Sequence, residues 1–139
     1  MRKHLLALAF LTSLLAGCKR DNPAPLPPPL YGSTWSLTTR TVVATGPSGT
    51  PTTTTSSIAS GAFSIVYPGD GTYRLMTGGA TATGKCDYDG KTITIYNTVG
   101  ASQTRVMTIK SLTDTQLVTE EKTQDATTYY TSTDTYTRL

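Results

Sequence analysis

Past residue 30, apolar and aromatic side chains recur at every second position, and no stretch shows the three-and-four spacing of a helix. A period of two means that neighbouring side chains leave opposite faces of an extended chain, so one face is free to meet a core. Threonine and tyrosine, which suit a pleated, half-buried surface, dominate these runs, and glycines and Asp-Gly pairs punctuate them. Such a chain is confined to an all-β fold.

Taken in order, Trp35, Leu37, Thr39, Thr41 and Val43 share one face of a first strand over 34–45, which Gly46-Pro47-Ser48-Gly49 ends. Residues 52–58 read as a second strand, polar on both faces, or as a flap. Phe63, Ile65 and Tyr67 form the next inward set, and Pro68-Gly69-Asp70-Gly71 turns the chain into Tyr73 and Leu75. Gly78-Gly79 leads to a strand over 81–88, and Asp89-Gly90 is a two-residue hairpin signal before Ile93 and Ile95. A strand over 103–112 carries Met107 and Ile109 on one side and Val106 on the other. Thr113-Asp114 turns into Leu117, Val118 and Thr119, and Gln124-Asp125-Ala126 turns into a last strand over 129–139. Eight or nine consecutive antiparallel strands with short links suit an up-and-down barrel.

The first thirty residues are organised differently. Met1-Arg2-Lys3-His4 is a basic head, and residues 5–15 are apolar. Eleven helical residues reach about 16 Å, short of a bilayer core of roughly 30 Å, which fits an export signal rather than a membrane span. Leu15-Ala16-Gly17-Cys18 resembles the lipobox of bacterial lipoproteins. The resemblance implies cleavage after residue 17, a diacylglycerol thioether on Cys18, and attachment to a membrane by acyl chains alone. With Lys19 rather than Asp after the cysteine, it also implies the outer membrane, with the leaflet open. Asn22-Pro23-Ala24-Pro25-Leu26-Pro27-Pro28-Pro29 excludes helix and inner strand, and as polyproline II it gives a stiff spacer of roughly 35 Å between residues 19 and 30. The expected organisation is a lipoprotein signal peptide (1–17), a lipid anchor and Pro-rich tether (18–30) and a barrel domain (31–139).

Composition then removes whole classes of chemistry. Without Arg2 and Lys3, ten of the 12 basic residues face nine acidic ones, so the mature chain is nearly neutral despite a whole-chain pI of about 8.9, and no basic cluster suggests nucleic acid. His4, the one histidine, departs with the signal, which removes histidine-based triads, general bases and zinc sites. With Cys18 lipidated, Cys86 has no partner for a disulfide; it reads as a reactive thiol or, in the absence of histidine, a buried inert one. Asp87-Tyr88-Asp89-Gly90 has the spaced carboxylates of a calcium loop but lacks its third acidic position and distal glutamate, so a hairpin turn is the simpler reading. Glu120 and Glu121, adjacent in a strand, point to opposite faces and cannot act as one acid–base pair. A non-enzymatic protein without metal or cofactor is expected.

The strand region resembles the small lipocalin-like domains of bacterial envelope lipoproteins of Bacteroidota type. Leu30 through Leu37 with Gly32 and Trp35, the Phe63…Asp70-Gly71-Thr72-Tyr73 hairpin, Gly84…Tyr88-Asp89-Gly90 before Ile93 and Ile95, and Ile109-Lys110-Ser111-Leu112-Thr113-Asp114-Thr115-Gln116-Leu117 carry the likeness over most of residues 30–139. Gly32-Ser33-Thr34-Trp35 has one residue more than the lipocalin Gly-x-Trp, and Cys86 stands where relatives often have tryptophan. The resemblance implies that Arg138 stacks on Trp35 at the closed end of the barrel. The expected interior set is Phe63, Ile65, Tyr67, Tyr73, Leu75, Ile93, Ile95, Met107, Ile109 and Leu117, which serves equally as the wall of a pocket for a small hydrophobic ligand or as a filled core. Three functions stay open at this point: a membrane-anchored ligand binder of the cell envelope, a protein-interaction or inhibitor module presenting an aromatic patch at Tyr129, Tyr130 and Tyr136, and a structural envelope lipoprotein.

Overall fold

The computed structural model describes residues 29–96 and 104–139. The signal peptide, Cys18 and most of the proline tether lie outside the described residues, as does Gln103. Within them the chain forms nine antiparallel strands and no helix: β1 Ser33–Thr45, β2 Pro51–Ser57, β3 Phe63–Tyr67, β4 Thr72–Thr77, β5 Ala80–Tyr88, β6 Thr92–Tyr96, β7 Thr104–Leu112, β8 Gln116–Gln124 and β9 Tyr129–Arg138. β1 pairs with β3, each strand from β3 to β8 pairs with the next, and β9 returns to pair with β1, so eight strands close into an up-and-down barrel. The ninth, β2, is an addition to that wall.

β1 organises the closure. One of its edges is taken along almost its whole length by β9, from Trp35↔Arg138 to Thr45↔Tyr129. Its other edge is shared: β3 pairs with Ser33 to Ser36, and β2 with Thr39 to Thr45. β2 and β3 are therefore one return strand broken in two, and the link between them packs on β1, where Gly61 N–H donates to Ser36 Oγ at 2.8 Å. The register also climbs around the wall. β5 meets β4 through Ala80 to Lys85 but β6 through Lys85 to Tyr88, so Lys85 alone pairs on both sides. That stagger is what tilts the strands of a closed barrel.

One end of the barrel is packed solid. Leu30, Trp35, Leu37, Tyr67, Ile93 and Leu117 are fully buried there with Cys86. The Trp35 indole N–H, which burial obliges to find an acceptor, donates to the Leu30 carbonyl at 3.2 Å and draws the incoming chain under the barrel. Each buried aliphatic side chain in this group contributes about 1.5–3 kcal/mol. Arg138 lies directly across from Trp35 in the register, and its guanidinium donates to the Asp114 carbonyl at 3.4 Å.

Two details correct the face assignment read from the sequence. Thr38 is an extra residue in β1, where the pairing to β9 slips between Leu37 and Thr39, and its hydroxyl donates to the Thr135 carbonyl at 3.0 Å. Such a bulge exchanges the two faces of a strand beyond it. Trp35 and Leu37 point inward, but Arg40 rather than Thr39 continues that face. Tyr136 is likewise inside, 5% exposed, while Tyr129 on the other face is 61% exposed, so Tyr129, Tyr130 and Tyr136 do not form one surface patch.

Three of the hairpins share one device. Asp70, Asp89 and Asp125 each accept from backbone N–H groups two or three residues ahead: Thr72, then Lys91 and Thr92, then Thr127 and Thr128. Thr72 and Thr92 add their hydroxyls to the same carboxylates. These bonds favour the ionised form, holding all three below the ordinary 3.8, with Asp89 at about 2. A carboxylate with a lower pKa in the fold than in the open chain stabilises the fold above the open-chain value and ceases to do so below the folded one. Stability is therefore expected to fall as pH drops from about 4 to about 2, and to be flat from pH 5 to 7 as far as these three groups decide it, in urea denaturation followed by circular dichroism.

Gly84 supplies a second prediction. It faces Tyr73 across the β4–β5 pair, and a Cβ there would stand 2.5 Å from the Tyr73 ring. The glycine leaves room for the ring to lie over the β5 backbone. Gly84→Ala should force the buried ring aside and cost about 1–3 kcal/mol by chemical denaturation, whereas Gly46→Ala, where a Cβ meets nothing within 4 Å, should cost less.

Candidate functional site

Above the packed end, the interior is not filled. Arg40, Phe63, Ile65, Tyr73, Leu75, Ile95, Arg105, Met107 and Tyr136 enclose a cavity of about 70 Å³. Six of the ten interior residues expected from the sequence are in this wall: Phe63, Ile65, Tyr73, Leu75, Ile95 and Met107. Tyr67, Ile93 and Leu117 are buried in the core beyond it, and Ile109 packs against that core half-buried. The barrel is thus both things the sequence left open, a filled core at one end and a small pocket at the other. Drug-sized pockets occupy roughly 300–1,000 Å³, so only a few heavy atoms fit inside.

Arg40, Arg105 and Tyr136 are the lining residues that sequence patterning missed. Arg40 reaches the interior because of the Thr38 bulge, and its Nε and Nη2 both donate to the Asp134 carboxylate at 2.7 Å. Asp134 sits directly across from Arg40 on β9 and is 5% exposed. Arg105 makes a second fork onto Glu121 of β8, with Nε to Oε1 at 2.9 Å. Tyr136 donates to Asp134 Oδ2 at 3.3 Å. Two ion pairs and a phenol thus form a polar belt across β1, β9, β8 and β7. Hydrogen bonding to its carboxylate raises the pKa of each guanidinium, and burial pushes those of Tyr136 and Tyr67 up. Both guanidiniums are therefore charged and both phenols neutral at pH 7.

The neighbouring carboxylate Glu120 points outward, toward Lys110 at 3.6 Å and Lys122 at 3.8 Å, so Glu120 and Glu121 share no substrate. Cys86, 2% exposed, donates its thiol to the Thr72 carbonyl at 3.2 Å, and burial followed by the charges of Asp87 and Asp70 raises its pKa. The thiol is sequestered from solvent. Both Asp89 oxygens serve its own turn and Asp87 accepts from the Tyr96 hydroxyl at 2.8 Å, so the calcium-like spacing is a hairpin. Among the described residues, no group of histidine, cysteine and acidic side chains is arranged to hold a metal.

No protein-family model, no curated protein and no solved structure matches the chain. The cavity and its belt define the site on their own.

The belt is asymmetric in burial. The Asp134 side chain is 7% exposed and that of Arg40 40%. Arg40→Ala strands a buried carboxylate, whereas Asp134→Ala releases a guanidinium that can still reach water. Arg40→Ala is therefore expected to cost more stability, about 2–4 kcal/mol, than Asp134→Ala at about 1–2 kcal/mol, the exposed partner being discounted for solvent screening. Thermal unfolding of the two single variants and the double variant at one ionic strength gives the comparison.

Proposed function

We propose that this chain is a lipocalin-like lipoprotein of the bacterial envelope, anchored in the outer membrane through Cys18 and binding a small, largely apolar ligand in its barrel without catalysis. The observation that carries the reading is the cavity: an interior that could have been closed by larger side chains is left open and faced by Phe63, Ile65, Leu75, Ile95 and Met107. A few convergent polar groups beside an apolar wall suit a pocket that fixes a ligand's orientation. The lipobox-like Leu15-Ala16-Gly17-Cys18 and the proline stretch after it support a tethered domain held clear of the headgroups. The outer wall is consistent with that mode of attachment, since Lys110, Glu120 and Lys122 lie where a membrane-spanning barrel has apolar side chains.

A binding barrel is expected to retain small molecules from its host. Native mass spectrometry of residues 19–139 made without the signal should show an added mass, and Leu75→Trp, which fills the cavity, should abolish it while the fold persists by circular dichroism. A wild-type spectrum with no adduct, before and after incubation with an envelope extract, would refute the reading. For the anchor, metabolic labelling with an alkynyl fatty acid should mark the full chain and leave Cys18→Ser unmarked.

A further inference from the structure

The two arginines at the cavity decide what kind of head the ligand carries. This inference rests on the ligand-binding reading above and narrows it. In each ion pair the carboxylate is sheltered and the guanidinium is not: Asp134 and Glu121 side chains are 7% and 13% exposed, against 40% for Arg40 and 43% for Arg105. The belt is neutral in sum, but the charge within a ligand's reach is positive.

The hydrogen-bond inventory points the same way. Both Asp134 oxygens accept from Arg40, and Oδ2 also accepts from Tyr136. Both Glu121 oxygens accept from Arg105. Each guanidinium uses Nε and Nη2 in its fork, which leaves Nη1 as a donor to offer. A ligand laid across this belt therefore meets donors more than acceptors. A wholly apolar molecule would cover those donors without replacing their water, and an ammonium head would meet two like charges. A planar oxyanion satisfies both guanidiniums at once. Beneath it, Phe63, Leu75 and Met107 receive only a short chain, because 70 Å³ is about half the roughly 150 Å³ of an engineered cavity that accepts benzene.

We propose that the cavity binds a short-chain aliphatic carboxylate, its chain among Phe63, Leu75 and Met107 and its carboxylate between the guanidiniums of Arg40 and Arg105. The discriminating experiment is calorimetric titration of the full chain, held in phosphatidylcholine nanodiscs, with butanoate, 1-butanol and butylamine, whose short chains suit a cavity of about 70 Å³, empty nanodiscs serving as the blank. Butanoate should bind about tenfold more tightly than butanol, as a charge-assisted head contact requires, and butylamine more weakly than either. The double variant Arg105→Gln/Glu121→Gln removes one guanidinium and its own carboxylate together. It should lower the preference for butanoate over butanol to about threefold or less. Arg105→Lys, which keeps the ion pair but loses the planar fork, should fall between. Equal affinity for butanoate and butanol, or an undiminished preference in a folded double variant, would overturn the headgroup assignment and leave an apolar pocket. Binding of none of the three would overturn the ligand-binding reading with it.

Discussion

The closure of β1 onto β9 is the constraint on which everything else in the molecule rests. A sheet of eight strands has two raw edges unless its ends meet, and meeting requires the first strand to be long enough to serve both neighbours. β1 does this with 13 residues. Its first few pair with β3 on one edge, and its later ones continue beside β9 on the other, far past the point where β3 begins. The bulge at Thr38 lies between the β3-paired and β2-paired segments of β1. Before it the inward positions are Trp35 and Leu37, and the barrel is solid. After it the inward position is Arg40, and the barrel holds a cavity. One inserted residue therefore separates the filled end of the barrel from the end that holds the cavity.

The break between β2 and β3 belongs to the same arrangement. Residues that leave β2 do not continue straight into β3; Ile58 N–H donates to the Thr38 carbonyl at 2.8 Å, in the gap between the β2-paired and β3-paired parts of β1. Ser36 Oγ then takes the Gly61 N–H, so the link is tied to β1 on both sides of the bulge. β2 itself is exposed at every residue and made of Thr, Ser and one Pro. It adds hydrogen bonds to the upper part of β1, Thr41 and Thr55 sharing a hydroxyl contact at 3.1 Å, without adding apolar burial. Its reading as a weak strand, polar on both faces, follows from a composition that has nothing to bury.

Strand count, order and most of the interior were legible in the sequence because period-two patterning and turn chemistry are local. Phe63, Ile65, Tyr73, Leu75, Ile95 and Met107 were found by counting in twos from a tight turn. Arg40, Arg105 and Tyr136 were not, and each was missed for a physical reason. A bulge carries no sequence mark when the inserted residue is one more threonine in a threonine-rich run, so the face of β1 beyond Thr38 was assigned wrongly. An arginine in a strand is taken as outward unless its carboxylate is known, and Asp134 lies 94 residues from Arg40. For Tyr136, alternation alone does not say which face of the last strand is inside; closure onto β1 does, and it puts Tyr136 in the interior.

The polar belt has to be weighed against what a small domain can tolerate. Taking ion pairs out of water costs several kcal/mol per ion before their attraction is counted, and apolar residues of similar volume often serve stability as well or better. A barrel with so short a wall draws its stability from a limited core, so two arginine–carboxylate forks beside an open cavity are poorly explained as reinforcement. The ligand binding proposed above accounts for them by what they present. Carboxylates fix the two guanidiniums in position and spare them the reorganisation that free side chains would undergo on binding, which lowers the cost of recognising a ligand. The forks also keep the interior close to neutral while no ligand is there. On this reading the ion pairs set the geometry of the site, and the exposed arginine edges set its selectivity.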